Sequence, residues 1–226
     1  MRTKALLCAA ALAAGAATSM AQNVYSLNVV GYINLTLQPG LNLIANQLDV
    51  DGYFTNNTYT GVFSTNLPAN SKIYAFNPTS GGYATLTWSG TTWIGSTAKA
   101  PVNAALAPGL GVFVNNNSAN PLTLTLVGQV NQGTNTTPLV QGLQIVSSIP
   151  PISAGLQTGL GYVPTSGDKV YVFNPVAQGY STKTYNYNAG TGVGKWIGGE
   201  PTPNVGDAFF LQSATATNWV QAFTVQ

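Results

Sequence analysis

The chain has 226 residues, with 7 Lys or Arg, 5 Asp or Glu and no His, so about 5% of its side chains carry charge, against ~25% in an ordinary soluble domain. Nucleic-acid binding requires clustered Lys and Arg to neutralise phosphates, and this composition excludes it. The lack of imidazole excludes Ser-His-Asp and Cys-His nucleophile systems and histidine-built metal centres.

Met1-Arg2-Thr3-Lys4 is a short basic segment, and residues 5–17 form an apolar run too short to span a bilayer. Ser19-Met20-Ala21 then places small residues at the −3 and −1 positions before Gln22. This pattern predicts a secretory signal peptide over 1–21, cleaved after Ala21, and hence a secreted or extracytoplasmic protein. Cys8 lies inside the apolar run, before any lipoprotein-type site, and leaves with the leader. Arg2 and Lys4 leave too, so five Lys face five acids in the remainder. A net charge near zero weakens repulsion between copies and favours association. With no cysteine after Cys8, stability has to come from burial, which a chain of this length can supply. No later segment has the length and apolarity of a transmembrane helix.

Residues 24–37 alternate in their second half, with Tyr32, Asn34 and Thr36 opposite Ile33, Leu35 and Leu37. The segments 41–45, 72–76, 83–88 and 110–114 are short, rich in β-branched or aromatic residues and bounded by Gly, Pro, Asn or Ser. Residues 122–126, Leu-Thr-Leu-Thr-Leu, have a clean period of two and read as an edge strand suited to assembly. Residues 129–138 are polar and bounded by Gly and Pro, which predicts a loop. Beyond the leader no sustained 3.6-residue apolar period occurs, and 25 Gly with 13 Pro supply turns.

An internal duplication organises these segments. Lys72-Ile73-Tyr74-Ala75-Phe76-Asn77-Pro78 recurs as Lys169-Val170-Tyr171-Val172-Phe173-Asn174-Pro175, and nine of sixteen positions match between 72–87 and 169–184 without a gap. Gly40-Leu41-Asn42-Leu43-Ile44 parallels Gly142-Leu143-Gln144-Ile145-Val146. Trp93-Ile94-Gly95 parallels Trp196-Ile197-Gly198, and the segment 109–114 parallels 206–211. The expected fold is all-β: two tandem homologous sandwich- or barrel-like units, 22–130 and 131–226, with one merged pseudo-twofold sandwich as the alternative.

The order Val24-Tyr25-Ser26, Val30-Gly31-Tyr32, Gly40-Leu41-Asn42-Leu43-Ile44-Ala45-Asn46 resembles a group of secreted, β-rich repeat proteins of Verrucomicrobia and Planctomycetes with no assigned activity. Gly167-Asp168-Lys169-Val170-Tyr171 and Val205-Gly206-Asp207-Ala208-Phe209-Phe210 are similar to the same group. The resemblance implies an exported β protein and adds no site. Two departures stand out: Gln47 occupies the place of a proline, and Leu110-Gly111 replaces an acidic turn.

The acids are Asp49, Asp51, Asp168, Glu200 and Asp207, and none recurs in the other unit. A carboxylate-dependent glycoside hydrolase would need two of them to converge across a cleft; nothing in their spacing indicates such a pair, and the expectation is a non-enzyme without a cofactor. Asp49-Val50-Asp51-Gly52 resembles the opening of a calcium loop that no later acid closes, so Asp49 and Asp51 are only weak calcium candidates. The 4 Trp, 11 Tyr and 8 Phe are a better lead. Flat rings with Asn and Thr could stack on sugars, and Trp88, Tyr83, Tyr180, Tyr185 and Tyr187 are the candidate ligand-binding residues. Trp93 and Trp196 are read as core anchors. Lys72 and Lys169, the repeated charges, share strand faces with Tyr74 and Phe76 or with Tyr171 and Phe173. Three roles follow. The first is structure or adhesion at a cell surface or matrix, through self-association or a surface polymer. The second is bivalent carbohydrate binding to a polysaccharide. The third is the hydrolase.

Overall fold

Alternation with a period of two, interrupted by glycine- and proline-rich turns, produces antiparallel strands almost throughout. A computed structural model of the chain describes residues 29–63, 67–95 and 105–225. The leader, its cleavage after Ala21 and the 24–26 motif lie outside the described residues.

The first unit contains β1 (Val30–Leu37), β2 (Gly40–Ala45), β3 (Lys72–Asn77), β4 (Gly82–Trp88), β5 (Trp93–Gly95), β6 (Gly111–Asn116) and β7 (Leu122–Gln129), with one helical turn, α1 (Tyr59–Phe63). Strands β1 and β7 pair with each other, and the other five form a sheet in the order β2-β6-β3-β4-β5. The second unit contains β8 (Gly133–Leu139), β9 (Gly142–Val146), β10 (Lys169–Asn174), β11 (Gly179–Asn188), β12 (Val193–Ile197), β13 (Phe209–Ser213) and β14 (Thr217–Phe223). Here β8 pairs with β14, and the sheet runs β9-β13-β10-β11-β12. The order is the same, strand for strand. The fold is all-β and consists of two similar units.

Part of the segment expected to be a loop is a strand. Gly133–Leu139 pairs along its length with Thr217–Phe223. Its polar composition hides alternation, since Thr137 and Leu139 turn inward while their neighbours Thr136 and Pro138 face solvent. Threonine suits a pleated surface, and Pro138 is tolerated because this strand pairs on one side only.

Each five-stranded sheet is covered on both faces over its first three strands, β2-β6-β3 and β9-β13-β10, while the outer hairpins expose Ile94, Val193 and Ile197. In the first unit Ile73, Leu86, Val112 and Val114 face Ile33, Leu37, Leu124 and Leu126 of the β1–β7 pair. In the second, Val170, Phe209 and Leu211 face Leu139 and Trp219 of the β8–β14 pair. Residues of the opposite parity, Leu43, Phe113, Ile145 and Phe210, meet in a third core between the two sheets. Side chains of this kind contribute ~1.5–3 kcal/mol each when fully buried. The units are therefore stacked sheet to sheet through a shared core.

Backbone pairing continues across this junction. Ala45 N–H donates to the Gly206 carbonyl and Ser147 N–H to the Gly109 carbonyl, both at 2.8 Å. Ile44 bridges Asp207, and Leu110 bridges Val146. Each contact is the repeat-equivalent of the other, so the seam has pseudo-twofold symmetry. Gly109 and Gly206 adopt φ of 90° and 83°, a region in which glycine alone is unstrained, and a side chain would meet Ile149 or Leu35 respectively. Gln47, fully buried, crosses the seam once more. Its Oε1 accepts from Gly206 N–H at 2.7 Å, and its Nε2 donates to the Ser148 carbonyl at 3.0 Å and to Ser148 Oγ at 2.8 Å. A proline there could form none of these bonds.

Candidate functional site

Strand parity sorts the candidate aromatics into two groups. On β4, Tyr83 and Trp88 are five residues apart and so point to opposite faces. Trp88 joins Ile73 and Leu86 inside the first unit, where it is 3% exposed. Its repeat-equivalent Tyr185 is 7% exposed in the second core. Each packs on the tryptophan across the hairpin: Trp88 on Trp93 and Tyr185 on Trp196, both with ring centroids 5.3 Å apart. The expectation that Trp88 and Tyr185 offer solvent-facing ligand contacts is therefore corrected; they are core residues, as Trp93 and Trp196 are. Tyr187 continues β11 past the covered part of the sheet. It is exposed and lies in an open cleft with Lys195 and Asn186, where no second aromatic ring lines the wall.

Tyr83 and Tyr180 lie on the other parity. They are 48% and 50% exposed and sit at the rim of the core between the sheets. Across its hairpin each meets a phenylalanine edge to face, Tyr83 on Phe76 at 5.4 Å and Tyr180 on Phe173 at 5.1 Å. Those phenylalanines reach over to the opposite unit, Phe76 to Phe210 at 5.3 Å and Phe173 to Phe113 at 5.2 Å. Phe113 and Phe210 meet at 6.1 Å, on the pseudo-twofold axis. Six rings thus form a closed set in which every contact has a symmetry mate. Such geometries are favourable beyond the area they bury.

Two cavities open beside this set. One, about 340 Å³, is lined by Leu41, Tyr74, Tyr83, Phe113, Asn115 and Tyr180. The other, about 350 Å³, is lined by Leu143, Tyr171, Tyr180, Phe210, Gln212 and Tyr83. The repeat carries one lining onto the other residue for residue, and Tyr83 and Tyr180 belong to both. Burial raises the phenol pKa of each tyrosine, and that of Tyr180 reaches about 12, with a charged Tyr83 adding to the rise. Both therefore stay neutral, with their protons available for donation, throughout the physiological range. The Tyr171 hydroxyl donates to Gln212 Oε1 at 2.8 Å. That bond has no counterpart between Tyr74 and Asn115, and a further contact also breaks the symmetry. Gln178 grips the backbone of Leu41 from the second unit, accepting from its N–H at 3.1 Å and donating to its carbonyl at 3.0 Å; the equivalent position in the first unit is Gly81.

The carboxylates are engaged elsewhere. Asp49 accepts from Phe54 N–H and from Asn57 Nδ2, and Asp51 accepts from Tyr53 N–H and from the Thr55 hydroxyl. The Thr55 hydroxyl holds the Asp51 carboxyl below the usual carboxylate range. Both carboxylates thus act as turn caps, and no third His, Cys, Asp or Glu joins them among the described residues. Asp168, buried, accepts from Tyr162 OH at 2.6 Å and from the N–H groups of Thr165 and Ala214, both at 2.7 Å. Burial, with that bond and the Asp168 charge adding to it, pushes the Tyr162 phenol well above its ordinary range. Glu200 caps Gln157 and Thr158, and Asp207 accepts from Asn204. Asp207 is the single acid lining the 320 Å³ cavity between the units, so no second carboxylate faces it there. Among the described residues no three His, Cys, Asp or Glu side chains gather at one point, and no helix is long and apolar enough to cross a membrane.

Sequence reasoning picked out Tyr83 and Tyr180 but not their partners Phe76, Phe113, Phe173 and Phe210. Parity combined with the repeat would have found them, because each is a duplicated aromatic on the strand face opposite Ile73 or Val112.

The fold and this site define a class: a duplicated all-β protein whose units share a pseudo-twofold aromatic junction. No protein-family model, curated protein or solved structure matches the chain.

Proposed function

We propose that the chain is an exported, non-catalytic β-repeat protein that works by surface contact in a cell-surface or matrix assembly. The observation that carries this reading is the use made of the five carboxylates. Each accepts hydrogen bonds from its own surroundings, mostly backbone N–H groups, and thereby closes a turn or anchors a loop. Acid–base catalysis needs a carboxylate poised at a substrate with a proton to move, and groups engaged as caps are poorly placed for that work. The charge-poor surface, on which Tyr32, Tyr53 and Phe54 are exposed, favours association over repulsion.

Sedimentation over a concentration series, together with binding of the purified protein to cell-envelope material, tests the reading. Reversible self-association or retention on the envelope is expected. A chain that stays monomeric at high concentration and binds no envelope component overturns it.

A further inference from the structure

We infer that the two tyrosine-rimmed cavities form one composite binding site for a neutral polysaccharide, continuous across the pseudo-twofold axis and occupied by a single polymer chain. The inference rests on the surface-contact reading and gives it a ligand.

Three features determine the class of ligand. First, no Lys, Arg, Asp or Glu lines either cavity, and the phenols of Tyr83 and Tyr180 are held neutral. An anionic or cationic polymer would lose solvation there without gaining an opposite charge. Second, the linings are largely aromatic, and the two rim tyrosines are half-exposed. The C–H-bearing face of a pyranose carries weak positive charge and suits the negative face of an aromatic ring, whereas a purely apolar ligand would leave the phenol hydroxyls without partners. Third, those hydroxyls, with the amides of Asn115 and Gln212, are neutral hydrogen-bonding groups that match sugar hydroxyls. Each cavity lies at the small end of the ~300–1,000 Å³ range of ligand sites, which suits one short stretch of a chain.

Because Tyr83 and Tyr180 line both cavities, the cavities are not independent. Two separate sites would gain avidity by tethering; a shared rim makes a single longer site with one-to-one stoichiometry. It also means that losing either tyrosine damages both halves.

The test is affinity electrophoresis of the full chain through gels containing hydroxyethylcellulose, xyloglucan, galactomannan or laminarin, with alginate and pectin as anionic controls. Variants Tyr83→Ala and Tyr180→Ala are compared with Tyr187→Ala, and thermal melts report whether each is folded. The expected result is retardation by a neutral polymer and not by the anionic ones. The apparent Kd should rise about tenfold or more in either rim variant and remain unchanged in Tyr187→Ala. Tyr83→Phe, which keeps the ring, should weaken binding less than Tyr83→Ala but measurably, because it loses one hydroxyl contact; a loss as large as that of Tyr83→Ala would count against stacking. Titration with an oligosaccharide of the retarding polymer should give one site per chain. The inference is overturned by migration unaffected in every neutral gel, by retardation that survives unchanged in either rim variant, by retardation in the anionic gels alone, or by two sites per chain. If gel binding fails while the protein still self-associates or holds to envelope material, the polysaccharide site is lost and the broader reading stands. If all three fail, both are lost.

Discussion

Replacing Gln47 with methionine keeps the length of the side chain but removes its amide from the seam between the units. Gln47 is fully buried, and its Oε1 is the acceptor for Gly206 N–H at 2.7 Å. In the variant that N–H has no acceptor, and Gly206 cannot swing away because its own carbonyl holds Ala45 N–H. A buried donor stranded in this way costs about 1–3 kcal/mol. The Ser148 carbonyl also loses its 3.0 Å bond, at about 1 kcal/mol. The Ser148 hydroxyl keeps a partner in the Pro150 carbonyl and the Ser147 hydroxyl keeps the Asp207 carbonyl, so neither adds to the loss. The sum is about 3 kcal/mol, which for a chain of this size lowers Tm by about 6–12 °C. Differential scanning calorimetry of the wild type and Gln47→Met measures it directly. A drop below about 2 °C would refute the argument that this amide fastens the two units.

Positions 168 and 71 are equivalent in the repeat but should respond differently. Asp168→Ala strands Tyr162 OH and two N–H groups, at about 1–3 kcal/mol for each donor left buried, and should cost at least about 3 kcal/mol in chemical denaturation. Ser71→Ala should be nearly neutral, because its buried hydroxyl has no partner and Pro68, which stands where Thr165 does, has no N–H to offer. Trp88→Ala should destabilise by about 3–5 kcal/mol, whereas Tyr83→Ala at the half-exposed rim should cost far less; comparable losses in equilibrium unfolding would contradict the assignment of their faces. Burial raises the Asp207 pKa above the ordinary carboxylate value, so the folded state favours the protonated form. The stability this group contributes is complete below the unfolded pKa and is lost as pH rises through the folded one. The stability of the wild type relative to Asp207→Asn should therefore fall as pH rises above the ordinary carboxylate range of about 4, and a flat or rising difference in melts there would count against the burial argument.

Local chemistry accounts for much of this protein. Alternation in segments such as 33–37 and 122–126 dictates strands, because only a period of two places Ile33, Leu37, Leu124 and Leu126 on one side. The duplicated blocks determine that the chain folds as two similar units. Parity along 83–88 even separates Tyr83 from Trp88, although a list of aromatics by composition hides it. The threonines of 134–137 conceal their alternation, since a strand paired on one side only needs few apolar residues.

What covers each face was decided by tertiary structure. Phe76, Phe113, Phe173 and Phe210 could have been solvent-facing, lipid-facing or buried by any partner; they are buried because the second unit supplies a matching face about a pseudo-twofold axis. The same docking leaves Tyr83 and Tyr180 half open at the rim and sets them beside each other, although they lie far apart in the chain. Periodicity assigns a side chain to a face, but the exposure of that face depends on long-range packing, and a binding surface is made of exposure.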